Sequence, residues 1–172
     1  MNQFDQFHSA LDLTKVSESV FSFNPDSKYF VGNTPHGGYL MALMHKALVT
    51  VLPHSCALNS NIYYLDRTDA APAELHVEMV RSSRGSSAGQ VKLIQGERLT
   101  CLFSAICSDF EFMKGHDGLK TPLPDVMNSL DEKKFKVMNY ENLKKGYTPS
   151  FIQQLDISVY PEKGTIAFGS GL

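Results

Sequence analysis

Cysteine is scarce in this chain of 172 residues, and the three cysteines present, Cys56, Cys101 and Cys107, have no CxxC spacing. An odd number of cysteines without that spacing argues against a disulfide framework and predicts a reduced, cytoplasmic protein. Cys101 and Cys107 fall within a strand pattern, so we expect them to be buried small hydrophobic residues and not reactive thiols.

An excess of charge of one sign and a long hydrophobic run are also missing. The formal net charge is -2, which gives no indication of a nucleic-acid partner. The longest mostly apolar stretch, residues 39–52, is interrupted by His45, Lys46 and Thr50, and it is too short to span a bilayer. The N-terminus shows no basic segment followed by an apolar run, so no signal peptide is expected.

The hydrophobic pattern predicts an α+β fold with one long helix. Between residues 37 and 51 the apolar positions follow helical spacing and cover most sides, as in a buried helix. Alternating residues then predict antiparallel strands, with a hairpin turn at residues 95–98. The expected elements are helices at 4–11 and 37–51 and strands at 16–23, 57–65, 74–81, around 91–93, and 99–110. An antiparallel sheet that curves around the helix would bury it.

The last third of the chain differs in composition. Residues 113–150 are rich in Pro, Lys and Asp, which predicts a linker with a short helix at 131–137. Alternation returns at residues 151–160 and predicts a strand there. We therefore expect one domain at residues 1–112, a linker at 113–150 and the start of a second, incomplete unit at 151–172.

A tight Pro-His-Gly-Gly turn at residues 35–38 leads into the long helix. The first N–H groups of a helix have no partner within the helix. At Gly37 and Gly38 no side chain screens these groups, so they are suited to bind a carbonyl or anionic oxygen. The other interpretation is that the glycines only allow helix and sheet to pack closely, with Asn33 and His36 as turn residues.

Two segments resemble a known family. "GNTPHGGYLMALMHKAL" and "AELHVEMVRSSRGSSAGQVKLIQGERLTCLFSAICSDF" are similar to the N-terminal hotdog domain of the acyl-CoA thioesterase II-like family, and the resemblance covers about residues 10–110. It implies the hotdog fold, an antiparallel β-sheet wrapped around a long central helix, and hydrolysis of acyl-CoA thioesters. Proteins of this family usually carry two hotdogs in one chain. The resemblance also implies that the N–H of Gly37 or Gly38 polarises the thioester carbonyl.

A carboxylate that could activate water is missing, because no Asp or Glu occurs in residues 27–65. In single-hotdog relatives with this turn an acid lies on the helix, at the position that best matches His45. In the two-hotdog family the acid is expected in the second hotdog. His45 is therefore a candidate general base, with a hydrogen-bonded polar position as the alternative. Asn33 is a candidate for placing a carbonyl or water, with loop capping as the alternative.

Candidate substrate contacts complete the predicted site. His36 could contact substrate or serve only in the turn, and Tyr39 is expected along the acyl chain. Arg81 and Arg84 could bind the phosphates of CoA or form a solvated hairpin tip. No metal and no cofactor is expected, because the sequence has no Cys/His cluster at metal spacing and no Walker motif.

The first hypothesis is an acyl-CoA thioesterase-like protein that binds or hydrolyses acyl-CoA. A homodimer or higher homo-oligomer is expected, because a lone hotdog leaves a sheet edge exposed. The alternatives are a non-catalytic acyl-thioester binder, favoured by the missing carboxylate, and a hotdog dehydratase, which would need a histidine and an acid facing one cavity. Neither a nucleic acid nor a membrane is expected as a partner.

Overall fold

The computed structural model describes residues 3–115, 118, 136–137, 149–155 and 157–159. The chain divides into two units. The first unit is formed by residues 1–114 together with 149–154, and the second by residues 115–148 and 155–172. Residues 149–154, which the sequence divides between linker and second unit, therefore group with the first unit.

A six-stranded antiparallel sheet forms the framework of the first unit. Its helices are α1 (Gln3–Ala10) and α2 (Gly37–Val51), and its strands are β1 (Thr14–Lys15), β2 (Val20–Phe23), β3 (Phe30–Val31), β4 (Thr34–Pro35), β5 (Cys56–Tyr64), β6 (Ala73–Ser82), β7 (Ser87–Gln95) and β8 (Arg98–Ser108). The sheet has the order β1-β2-β6-β7-β8-β5, and β3 pairs with β4 in a separate hairpin. This arrangement confirms the predicted α+β architecture, including the bounds of α2.

Helix α2 lies against one face of the sheet and supplies much of the core. Fully buried hydrophobic side chains on α2 are Leu43, Met44, Ala47 and Leu48, and those on the strands are Leu75, Val91, Leu93, Cys101, Phe103 and Cys107. Successive strand residues point to opposite faces, so the buried strand positions alternate with solvated ones. Burial raises the pKa of both core cysteines, in agreement with the expectation that they are not reactive thiols.

Gly89 in β7 allows α2 to approach the sheet. A Cβ built at Gly89 would lie 2.7 Å from Cδ1 of Leu48 and 2.9 Å from the backbone oxygen of Glu78. Because one of these atoms belongs to the backbone of β6, a side chain could not be accommodated by a rotamer change alone. The glycine therefore sets the distance between helix and sheet.

The strand predicted at residues 16–23 is wrong in its extent. β1 ends at Lys15, β2 begins at Val20, and the two pair antiparallel. The residues between them form a turn that is closed by a 2.9 Å hydrogen bond from the N–H of Val16 to the carbonyl of Val20. A salt bridge of 3.0 Å joins Lys15 to Glu18 across this turn. The serine-rich pattern thus reflects a turn and not a continuous strand.

Two expectations for the last third of the chain are also wrong in part. Residues Ser150–Gln154 form a 3-10 helix, so among the described residues of the strand predicted at 151–160 only β10 (Ser158–Val159) is a strand. The last two residues of the helix predicted at 131–137 instead form strand β9 (Lys136–Val137), which pairs antiparallel with β10. Residues 131–135 lie outside the described residues. In both places tertiary contacts override a weak local pattern.

One edge of the sheet is formed by β5, which pairs only with β8 in the described part of the chain. Three large side chains of this strand, Leu58, Tyr63 and Tyr64, are exposed by 55%, 56% and 54%. A long edge strand with exposed apolar side chains is a surface on which another strand can pair. No helix among the described residues has the length and apolar character needed to cross a membrane.

Candidate active site

The turn before α2 is anchored by the small β3–β4 hairpin. Gly32 and Asn33 form the two-residue turn between these strands, and Gly32 has φ +60, which the first central position of a type II′ turn requires. The N–H of His36 donates to the carbonyl of Tyr29 at 2.8 Å. The start of α2 is thereby tied to the preceding loop. Asn33 is exposed at the hairpin tip, and its role in placing a carbonyl or water stays a prediction.

His36 caps the N-terminus of α2. Its Nδ1 accepts a hydrogen bond of 3.1 Å from the N–H of Gly38, and its carbonyl accepts one of 3.1 Å from Leu40. The N–H of Gly37 has no acceptor within the described residues. One of the two glycine amides singled out from the sequence is therefore engaged by the protein. The other lies at the positive end of α2 and is available to a ligand.

Tyr64, which the sequence analysis did not single out, lies against Gly37. A Cβ built at Gly37 would be 2.7 Å from Oη and 2.8 Å from Cζ of Tyr64, so the phenol occupies the space beside this glycine. Tyr64 is opposite Cys101 in the β5–β8 register and is therefore on the face that α2 covers. Partial burial, and to a smaller extent Cys101, raises the pKa of Tyr64. The hydroxyl is thus protonated at neutral pH and can donate a hydrogen bond.

His45 has a buried ring nitrogen without a hydrogen-bond partner. Its Nε2 is shielded from solvent and finds no partner in the described part of the chain. The ring meets Phe103 edge-on, with centroids 6.3 Å apart. Burial lowers the pKa of His45 below its ordinary value of 6.5, so the imidazole is neutral at neutral pH. With Nε2 shielded, Nδ1 is the nitrogen through which His45 can exchange a proton.

Gly37 and His45 are too far apart to act on the same carbonyl group. The two residues are eight positions apart in α2, which corresponds to a rise of about 12 Å. A general base must lie within hydrogen-bond reach of the proton it takes, or one water molecule away. His45 therefore cannot assist a carbonyl that is bound by Gly37 of the same helix.

Tyr39 lies in the core, on the side of α2 that meets α1 and the loop before β3. It is 3% exposed. Its hydroxyl donates to the carbonyl of Ala10 at 2.7 Å and accepts from the N–H of Asp26 at 3.1 Å. Its ring stacks on Tyr29 with centroids 5.0 Å apart. The structure thus gives Tyr39 a packing role, and contact with an acyl chain stays a prediction.

Arg81 and Arg84 are exposed in the β6–β7 hairpin, away from the Pro-His-Gly-Gly turn. His54, which follows the C-terminus of α2, donates from Nε2 to the carbonyl of Arg84 at 3.2 Å and accepts at Nδ1 from Ser87 at 3.1 Å. The hairpin is thereby fastened to the end of α2, and Gly37 lies at the opposite end, about 21 Å away along the helix. Within the described residues no cluster of His, Cys, Asp or Glu is arranged to hold a metal ion.

Comparisons with known proteins agree with this architecture. A family model described as the acyl-CoA thioesterase N-terminal domain matches residues 25–108. No curated protein matches the chain. A proposed thioesterase II from Thermobifida fusca has 18% identity and a TM-score of 0.74, and the match covers 94% of this chain and 57% of that one. A conserved hotdog protein of unknown function from Alicyclobacillus acidocaldarius has 17% identity, a TM-score of 0.70, and coverage of 86% and 52%.

An acyl-CoA thioesterase II from Mycobacterium marinum, TesB2, has 16% identity and a TM-score of 0.57, with 69% of this chain and 43% of that one covered. This chain therefore spans about half the length of these three structures. The structural likeness confirms the hotdog fold. The residues matched by the family model include the turn, α2 and strands β6 to β8, on which the resemblance rested. Residues 25–108, which the family model matches, therefore form an acyl-CoA thioesterase II-like hotdog domain.

Proposed function

We propose that this chain binds acyl-CoA thioesters and hydrolyses them in an assembly of paired hotdog units. The observation that carries the proposal is the N–H of Gly37 at the start of α2, which has no acceptor within the described residues and lies in the segment that the acyl-CoA thioesterase N-terminal domain model matches. The proposed substrate is acyl-CoA, the proposed assembly is a homodimer or a higher homo-oligomer, and the proposed location is the cytoplasm. The free cysteines agree with a reducing compartment.

The thioester carbonyl is proposed to bind at the start of α2. Its oxygen accepts a hydrogen bond from the N–H of Gly37, and the helix dipole stabilises the negative charge that develops when the carbonyl is attacked. The hydroxyl of Tyr64, which lies beside Gly37, is a second donor to the same oxygen. Each donor aimed at a developing oxyanion can contribute roughly 100-fold or more to the rate. Gly38 contributes by allowing His36 to cap its N–H.

The proton acceptor is proposed to come from a paired hotdog unit. The edge strand β5 offers a surface for pairing, and a second unit placed there could bring its own α2 close to Gly37. In a second copy of this chain the titratable group on that helix is His45. Nδ1 of His45 takes a proton from water, the water oxygen bonds to the thioester carbon, and the C–S bond breaks. The products are the free carboxylic acid and the CoA thiol, which leaves with a proton.

Other parts of the substrate are assigned to the surface around this site. Met41 lies one turn after Gly37 and is only partly buried, so the acyl chain is proposed to rest there instead of on the buried Tyr39. Arg81 and Arg84 make no ion pair within the described residues, which leaves both side chains available for the phosphates of CoA. The β6–β7 hairpin of a unit lies far from the Gly37 of the same unit. The phosphates of a CoA molecule bound at Gly37 would therefore contact the β6–β7 hairpin of the paired unit.

A non-catalytic acyl-thioester binder is the second candidate function. The absence of any carboxylate in residues 27–65 favours it, because His45 then remains the only titratable side chain on α2 besides Lys46 and Tyr39. The binder and the hydrolase share the carbonyl site at Gly37. They differ only in whether a proton acceptor reaches the attacking water.

Hydrolysis and binding can be measured separately. The full chain is incubated with acyl-CoAs of increasing chain length, and release of CoA is followed by chromatography, which avoids thiol reagents that would react with the protein. Affinity is measured by calorimetry with a thioether analogue that keeps a ketone carbonyl one methylene away from the sulfur and therefore cannot be hydrolysed. The variant His45→Met is compared with the matched control His76→Gln, which replaces an exposed histidine on the other face of the sheet.

The hydrolase is supported if CoA is released by the wild type and by His76→Gln but not by His45→Met. Tight binding of the analogue without any release of CoA would identify the binder. Hydrolysis that survives in His45→Met would assign the proton acceptor to another residue. Neither binding nor release with any acyl-CoA would reject the proposed function.

A further inference from the structure

A short segment at residues 150–154 packs against the residues that precede α2. The 3-10 helix Ser150–Gln154 belongs to the first unit and packs against residues 27–31. Ile152 is 3% exposed, and its N–H donates to the carbonyl of Pro149 at 3.1 Å. The segment is therefore fastened to the same hairpin that anchors the start of α2.

Phe151 places its ring on the imidazole of His36. The two ring centroids are 4.2 Å apart and the planes are inclined by 25°, which is a stacked arrangement. The same imidazole accepts the N–H of Gly38 through Nδ1 at 3.1 Å. Rotation of His36 about its Cα–Cβ bond would break both contacts at once. The stacking and the cap therefore favour one orientation of this ring.

We propose that Phe151 is a positioning residue that holds His36 on the N–H of Gly38 and so decides which amide at the start of α2 is left for a ligand. With Phe151 in place, the N–H of Gly38 is capped, and that of Gly37 has no acceptor in the described part of the chain. Without it, His36 rotates more freely and both amides become available. The consequence for a thioester carbonyl rests on the proposed function, whereas the coupling of Phe151 to Gly38 through His36 does not.

The coupling can be measured without substrate. The exchange of the Gly38 amide proton with water is measured by NMR in the full chain and in Phe151→Ala, Phe151→Tyr and Gln153→Ala. Gln153 is an exposed residue of the same segment and serves as the matched control. We expect Phe151→Ala to accelerate exchange at Gly38 about fivefold, as for loss of a typical side-chain cap. Phe151→Tyr, which keeps the ring, and Gln153→Ala should leave the rate within about twofold of the wild type.

A second comparison tests whether the effect passes through His36. In a His36→Ala background the cap is already absent, so adding Phe151→Ala should produce no further acceleration at Gly38. Equal acceleration in both backgrounds would overturn the proposal. So would a uniform acceleration of many amides in Phe151→Ala, because that would show a general loosening of the fold. The exchange rates are independent of thioester hydrolysis, so a chain that hydrolyses nothing can still pass this test, and an active chain can fail it.

Discussion

Replacing His45 with methionine is expected to stabilise the fold while abolishing hydrolysis. Nε2 of His45 is buried and has no hydrogen-bond partner among the residues that the structure describes, and a buried unsatisfied polar group costs about 1–3 kcal/mol. Methionine is similar in size and flexible, so its packing penalty is small, and it has a slightly better helix propensity than histidine. The expected net gain is about 1–3 kcal/mol.

Urea denaturation provides the assay. With a slope of about 2 kcal/mol per molar urea, the unfolding midpoint of His45→Met should rise by roughly 0.5–1.5 M. His76→Gln, at an exposed position, should change the midpoint very little. If His45→Met lowers the unfolding midpoint, the prediction is wrong, because Nε2 of His45 must then have a hydrogen-bond partner in the folded protein in solution.

The pH dependence of stability gives an independent check on the same residue. Burial lowers the folded-state pKa of His45 below 6.5, so the unfolded chain binds the proton more readily. The destabilisation of the fold that results from this pKa difference is absent well above pH 6.5. It grows as the pH falls from about 6.5 towards the folded-state pKa of His45. The advantage of His45→Met over the wild type should therefore grow between pH 8 and pH 5. A constant difference over that range would contradict the assignment.

The remaining predictions concern the glycines and Tyr64. Gly89→Ala should destabilise the fold by about 1–3 kcal/mol in urea unfolding, because its Cβ would overlap α2 and a backbone oxygen of β6. Gly85→Ala is the control, since its Cβ would come no closer than 3.8 Å to a neighbour, and equal effects of the two variants would reject this explanation. Gly37→Ala should lower the affinity for the thioether analogue at least tenfold in calorimetry. The stability of the fold should change little, because the flexible Tyr64 ring can move away from the added Cβ. Tyr64→Phe should reduce kcat roughly 100-fold, whereas Tyr63→Phe, on the other face of the same strand, should not reduce it. Equal rates of the two variants would show that the phenol of Tyr64 does not act in the site.

Much of the architecture could be predicted because its elements have strong local patterns. The helix at 37–51 is apolar on most sides and begins after a turn, so its bounds agree with the structure. β6 and β8 show clean alternation, and their positions are correct within two residues. The strand expected at 16–23 failed because serine and glutamate in its centre form a turn. The strand expected at 151–160 failed because Phe151 and Ile152 pack on the first unit.

The candidate site was predictable only in part. The glycines and His45 were identified because their residue types and spacing carry chemical meaning without a structure. Tyr64 was missed because strand alternation gives two faces and does not say which one meets the helix. Phe151 was missed because no sequence pattern connects it with a turn more than a hundred positions earlier.

The amino-acid sequence alone predicts a long apolar helix that begins at the Pro-His-Gly-Gly turn and is followed by antiparallel strands. Periodicity and turn chemistry act over a few residues, so they can be recognised along the chain. The capping of the Gly38 N–H, the lack of an acceptor for the Gly37 N–H within the described residues, and the positions of Tyr64 and Phe151 at this turn follow only from the three-dimensional fold. These relations join segments distant in sequence, and they depend on strand register and on the packing of side chains, which local patterns do not specify.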